Sequence, residues 1–164
     1  MRLFHITNKV YEIGAPVSIN DYEGEVCYYH LSHPDYQWIN DVLDKYKPVE
    51  FPYRKKCIYA FDMIENCYSF AYGKEGMHCY EVEMDACGGF PMALTDRLRK
   101  DKYDQDVCKA ISEEYWNPKN EWKYLEYLGN EMIIISEHPI TNNVMKSKMM
   151  YCDDLEKAKK IFHL

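Results

Sequence analysis

Residues 58–72 read Ile-Tyr-Ala-Phe-Asp-Met-Ile-Glu-Asn-Cys-Tyr-Ser-Phe-Ala-Tyr. The stretch divides at Asp62. Lys56 to Phe61 is rich in the aromatic and β-branched residues that suit a pleated surface, so it predicts a strand. Asp62 then stands where a helix N-cap is expected, and Glu65 follows three residues later, the spacing of a capping box. Behind it Ile64, Cys67, Tyr68 and Ala71 fall on one helical stripe that ends near Gly73. A strand running directly into a capped helix is the unit around which the rest is arranged.

Upstream, Leu3 to Thr7 is a short apolar run of strand type, and Glu25 to His30 reads as a second strand. Residues 35–46 set Tyr36, Ile39, Leu43 and Tyr46 at helical spacing with Asp35 as a cap, and Pro48 and Pro52 enforce a loop after it. Downstream, His78 to Met84 alternates like a strand, and Gly88-Gly89 with Pro91 predicts a turn. Residues 92–116 carry helical patterning in two pieces that break near residues 102–104. Tyr124 to Leu128 and Met132 to Ser136 are strands, with Gly129-Asn130 expected to turn the chain between them. Asp153 or Asp154 is placed to cap a final helix with Leu155, Ala158 and Phe162 on its inner face. Strands first, helices inserted, then strands again predict one α+β domain over residues 1–164, not a regular βαβ repeat.

The totals agree with a single packed domain. The chain has 164 residues, 47% hydrophobic and 29% charged, enough for a sizeable core. Its sixteen tyrosines suit half-buried positions, where the ring is covered and the hydroxyl stays wet. A net charge of −7 opposes general affinity for nucleic-acid backbones. The lysines at 146, 148, 157, 159 and 160 read as a solvated helix face. Seven cysteines without a C-x-x-C pair, no apolar run of signal-peptide length and no membrane-length apolar stretch predict a cytoplasmic protein with reduced thiols. Cys27, His30 and His33 have metal-like spacing but lack a fourth sequence-adjacent ligand, so no metal site is expected. Cys67 and Cys79 read as core thiols. There is no P-loop, dinucleotide-binding glycine fingerprint or H-E-x-x-H helix.

Three short stretches carry chemistry when taken together: Phe4-His5-Ile6-Thr7, then Ile58-Tyr59-Ala60-Phe61-Asp62 with Phe70 eleven residues after Tyr59, then Leu125-Glu126-Tyr127-Leu128. Read in this order they resemble the ADP-ribosyltransferase superfamily, in its His-Tyr-Glu branch of diphtheria-toxin-like and poly-ADP-ribose-polymerase-like catalytic domains. The first motif of that branch is H-G-[TS], here His5-Ile6-Thr7 with Ile6 where the family usually has Gly. The second is a strand ending in an Ile-Tyr or aromatic-Tyr step followed by an aromatic-bearing helix. The third is Glu followed by Tyr and an aliphatic residue. The resemblance spans residue 4 to about residue 136.

The resemblance implies two packed, mainly antiparallel sheets with peripheral helices around an NAD+ cleft. It implies NAD+ as co-substrate, and catalysis by Glu126, His5 and Tyr59. His5, Ile6, Thr7, Tyr59 and Phe70 are the expected NAD+-binding residues, with the Ile6 backbone on the nicotinamide carboxamide. The chemistry is consistent with this. Cleaving the nicotinamide–ribose bond passes through an oxocarbenium-like sugar, which a nearby carboxylate stabilises, and the departing flat cation suits confinement between aromatic faces. The arginine-modifying branch has an acidic residue two places before the catalytic Glu; here Tyr124 occupies that place, which disfavours arginine as acceptor. The implied activity is mono-ADP-ribosyl transfer to a macromolecule, protein being favoured over nucleic acid by the acidic total, with no membrane partner. The alternatives are NAD+ glycohydrolysis and an inactive ligand-binding or interaction module on the same scaffold.

Overall fold

The computed structural model describes residues 1–22, 36–71, 74–98, 104–140 and 152–164. Along the chain it has β1 (Arg2–Thr7), β2 (Pro16–Ser18), a 3-10 turn (Ile19–Tyr22), α1 (Tyr36–Lys45), a second 3-10 turn (Arg54–Lys56), β3 (Ile58–Phe61) and α2 (Ile64–Ala71). Then come β4 (His78–Pro91), α3 (Met92–Arg97), α4 (Gln105–Trp116), β5 (Leu125–His138) and α5 (Cys152–Phe162). The architecture is α+β with an antiparallel sheet. The strand expected at Glu25–His30 and the histidines and cysteine beside it lie outside the described residues.

The two packed sheets that the resemblance implies are not found: the five strands of the described residues belong to one hydrogen-bonded sheet in the order β2-β5-β3-β1-β4, because β4 pairs with β1 on one side and β5 on the other. β4 also pairs with β5, so β1, β4, β5 and β3 close into a ring. Closure is possible because β4 and β5 are each 14 residues long and their ladder carries register shifts between Glu81 and Val82, Met84 and Ala86, and Gly88 and Phe90. Such bulges bend a strand and increase its twist. Two elements expected from sequence are corrected here. Gly88-Gly89 does not turn the chain; it sits in the last bulged stretch of β4. Gly129-Asn130 does not turn the chain either; Gly129 lies inside β5, paired with Ile58 on one side and Ala86 on the other. Strand pairing on both flanks outweighs the turn preference of the dipeptide.

Both glycines answer to close approach. A Cβ on Gly88 would lie 2.3 Å from Tyr127 Cδ1 and 2.8 Å from Tyr127 Cα, and one on Gly129 would lie 2.8 Å from Met84 Cγ and Sδ. The inward face of the closed sheet is packed by Leu3, Ile58, Ala60, Tyr80, Val82, Met84, Met132 and Ile134. The opposite face is covered by helices: Leu43 from α1, Leu94 from α3, Ile111, Tyr115 and Trp116 from α4 and Ala158 from α5 meet Phe90 and Leu128 of the sheet. Trp116 Nε1 donates to the Leu43 carbonyl at 2.7 Å, tying α4 to α1. Cys67 and Cys79 are fully buried, and burial pushes the Cys67 thiol well above its ordinary value.

Two carboxylates fix the approach to β5. Glu114 Oε1 accepts from the backbone N–H of Lys119 and Asn120, from Asn120 Nδ2 and from Trp122 Nε1, at 2.9–3.1 Å. Burial pushes this carboxyl up, but the four donors together outweigh burial and hold it below its usual value. Asp154, read from sequence as a possible cap for α5, instead lies within its first turn and accepts from the N–H groups of Lys123 and Tyr124 through Oδ2, at 3.1 and 3.0 Å. The start of β5, and with it residue 126, is held from two helices. Among the described residues no helix is long and apolar enough to cross a membrane.

Replacing Gly88 by Ala should lower the free energy of unfolding by about 1–3 kcal/mol, the cost of overpacking against a rigid neighbour. Urea denaturation of the two proteins measures it, and an unchanged midpoint would show that β4 yields without cost.

Candidate functional site

The three sequence motifs come to rest on adjacent strands. His5 is on β1, Tyr59 on β3 and Glu126 on β5, and β3 lies between the other two. Phe4 pairs with Phe61, and Phe61 pairs in turn with Glu126, whose other neighbour is Phe90. Residues opposite one another in an antiparallel ladder project to the same face, so Phe4, Phe61, Glu126 and Phe90 form a row on the helix-covered side. His5, one step along β1, pairs with Tyr80 and projects to the inward side. The imidazole and the carboxylate therefore stand near one another but on opposite faces.

Glu126 is 3% exposed and Arg54 is fully buried. Arg54 Nη1 donates to Glu126 Oε1 and to the Tyr115 hydroxyl. The Tyr115 hydroxyl donates to the same Glu126 oxygen at 2.7 Å. Arg54 Nε donates to Asn40 Oδ1 at 2.9 Å, and the Arg54 backbone N–H to Asp44 Oδ1 at 2.8 Å. The guanidinium lies over the rings of Tyr59 and Tyr115, 5.0 and 4.9 Å from their centroids. Tyr59 donates its hydroxyl proton to the Arg54 carbonyl at 2.7 Å. Burial pushes both phenols up and the guanidinium opposes it, with the net result that both stay protonated donors.

His5 Nδ1 is 2.7 Å from the Tyr59 carbonyl oxygen. A carbonyl only accepts, so the proton is on Nδ1 and the imidazole donates. Burial lowers the His5 pKa to about 4, the bond to the Tyr59 carbonyl opposing it, so the ring is neutral at physiological pH. The ladder explains why that carbonyl is available to a side chain. β1 and β3 are in register at the pair Phe4–Phe61, and the His5 ring bridges the strands beyond it. Thr7 Oγ1 accepts from the Lys9 N–H at 3.1 Å. Ile6 and Phe70 pack in one cluster with Phe61, and the Phe70 and Phe61 rings stack at 5.3 Å.

The structure thus links His5 to the backbone of Tyr59, and Tyr59 through Arg54 to Glu126. Phe70 faces Phe61, and Tyr59 packs in a different cluster, against the helices. Sequence reasoning missed Arg54, Tyr115 and Asn40. Arg54 precedes Lys55 and Lys56, so it reads as part of a solvated basic run; Tyr115 carries a signal, because Cys108, Ile111 and Tyr115 share one helical stripe. Among the described residues no three His, Cys, Asp or Glu side chains are grouped to hold a metal ion. The sequence matches no protein-family model and no curated protein.

The buried imidazole gives a pH signature. The unfolded chain takes up a proton at His5 near 6.5, whereas the folded chain resists until about 4. Its contribution to stability is complete above the unfolded value and declines as pH falls between the two, by roughly 3 kcal/mol in all. His5→Asn keeps a donor for the Tyr59 carbonyl and removes the titration. Urea unfolding at pH 7 and pH 4 should show the wild type losing roughly 3 kcal/mol more than the variant on acidification. Equal losses would mean that the ring protonates in the folded state.

Proposed function

We propose that the chain is an NAD+-dependent mono-ADP-ribosyltransferase, with an ADP-ribosyltransferase-like fold, that transfers ADP-ribose to a macromolecular acceptor, protein being favoured. The observation that carries this reading is the convergence of His5, Tyr59 and Glu126, far apart in sequence, onto three neighbouring strands β1, β3 and β5. The hydrogen bond from His5 to the Tyr59 carbonyl supports it further, because it sets the first and second motifs side by side.

In the proposed reaction the bond between ribose C1′ and the pyridinium nitrogen breaks. Its electron pair leaves with neutral nicotinamide, and the positive charge passes to the sugar. Glu126 supplies the negative charge that stabilises this oxocarbenium-like species and accepts a hydrogen bond from a ribose hydroxyl. The acceptor's lone pair then forms the new bond to C1′ from the opposite face, and the acceptor gives up its proton to solvent. Neutral His5 holds the β3 backbone and orients a second ribose hydroxyl. Thr7 completes the first motif, and Phe70 with Phe61 supplies apolar wall.

A second reading has a specific observation in its favour. Glu126 is only 3% exposed and already paired with Arg54, as expected of an inactive binding module whose carboxylate is structural. The two readings separate in one experiment. Purified protein is incubated with NAD+ labelled in the nicotinamide and in the adenosine, with and without cell extract. Transfer gives free nicotinamide and acceptor-bound label, hydrolysis gives free nicotinamide and free ADP-ribose, and binding alone releases no nicotinamide. Glu126→Gln, which keeps an oxygen for Arg54 and Tyr115, should cut nicotinamide release by about 100-fold or more while leaving NAD+ affinity within a few-fold. NAD+ bound by the wild type without nicotinamide release would establish the binding module in its place.

A further inference from the structure

Resting on that reading, we propose that Arg54 and Tyr115 are positioning residues that hold Glu126 by one oxygen and present the other to the ribose. An arginine and a carboxylate that meet for stability alone favour the two-pronged geometry, with parallel N–H bonds to both oxygens. Here the guanidinium and the phenol converge on the same atom, Glu126 Oε1. Among the described residues no hydrogen bond reaches Oε2, although the side chain is only 4% exposed. Oε2 thus keeps its lone pairs for a donor from outside these contacts, and a ribose hydroxyl is such a donor.

The clamp is built to keep its orientation. Its donors come from separate elements: Arg54 from the turn before β3, and Tyr115 from α4. Arg54 is itself fixed at three points, its Nε by Asn40, its N–H by Asp44 and its carbonyl by the Tyr59 hydroxyl. The cross-strand neighbours Phe61 and Phe90 wall Glu126 on both sides. With Oε1 tethered twice and the side chain walled, the direction of Oε2 is set. A transition state that depends on one carboxylate oxygen is sensitive to that direction, since a misplacement of about 1 Å costs on the order of 100-fold in rate.

The test compares wild type, Tyr115→Phe and Arg54→Lys for nicotinamide release, NAD+ affinity by calorimetry and melting temperature, with kinetics run well below the lowest melting point. Tyr115→Phe keeps the ring in the core and removes one tether; Arg54→Lys keeps the charge and removes the planar fork. The expected result is a fall in kcat of about 100-fold in each variant, with NAD+ affinity within about twofold of wild type. If both variants melt earlier but keep kcat within about twofold, the pair is structural and the positioning role is overturned, while the transferase reading stands. If the wild type itself releases no nicotinamide, the transferase reading fails and the positioning role fails with it.

Discussion

The burial of Arg54 against Glu126 is the constraint on which the rest of the structure depends. Removing two ions from water costs several kcal/mol each, recovered only where geometry is good and the remaining donors are satisfied. The fold meets that condition from several directions. Asn40 Oδ1 on α1 accepts a hydrogen bond from Nε, Glu126 and Tyr115 accept from Nη1, and the rings of Tyr59 and Tyr115 cover the planar faces. α1, the turn before β3, α4 and β5 must all be in place for this to hold. The pair therefore ties the packing of the helices to the closure of the sheet.

Position along β5 is set by different chemistry. Glu114 gathers the connection after α4 on a single carboxylate oxygen, and Asp154 of α5 takes the two backbone N–H groups at residues 123 and 124. Downstream of Glu126, Gly88 opposite Tyr127 and Gly129 beneath Met84 let β4 and β5 approach more closely than any side chain would permit. Register there is strongly specified: a slip by one residue would reverse every side chain and drive Glu126 into the apolar interior formed by Val82, Met84 and Ile134.

The elements legible in the sequence were those whose determinants are local. The strand at 58–61, the helix after Asp62, and the helices at 36–45, 105–116 and 152–162 follow from periodicity within a few positions. The misreadings at Gly88-Gly89 and Gly129-Asn130 share a cause. Each dipeptide is a turn signal in isolation, and each is overridden by pairing with a strand some 40 residues away. The site divides the same way. His5, Tyr59 and Glu126 could be named as candidates because the order of their motifs is visible in one dimension, whereas nothing local distinguishes a buried Arg54 from the exposed Lys55 beside it. The side chain's fate is decided by Tyr115 and Glu126, 61 and 72 residues further on.

Tyr59 joins the two halves of the site, because its backbone serves one face of the sheet and its side chain the other. Its carbonyl is held by the imidazole on the inward side, and its hydroxyl holds the Arg54 carbonyl on the helix-covered side. A ligand resting on either face would meet His5 or Glu126 but not both. β1 pairs with β3 at Phe4–Phe61, and beyond it the His5 ring reaches the Tyr59 carbonyl across the two strands. The division of His5 and Glu126 between two faces is thus bridged by one residue of β3, so a change at Tyr59 reaches the imidazole through its backbone and the carboxylate through Arg54.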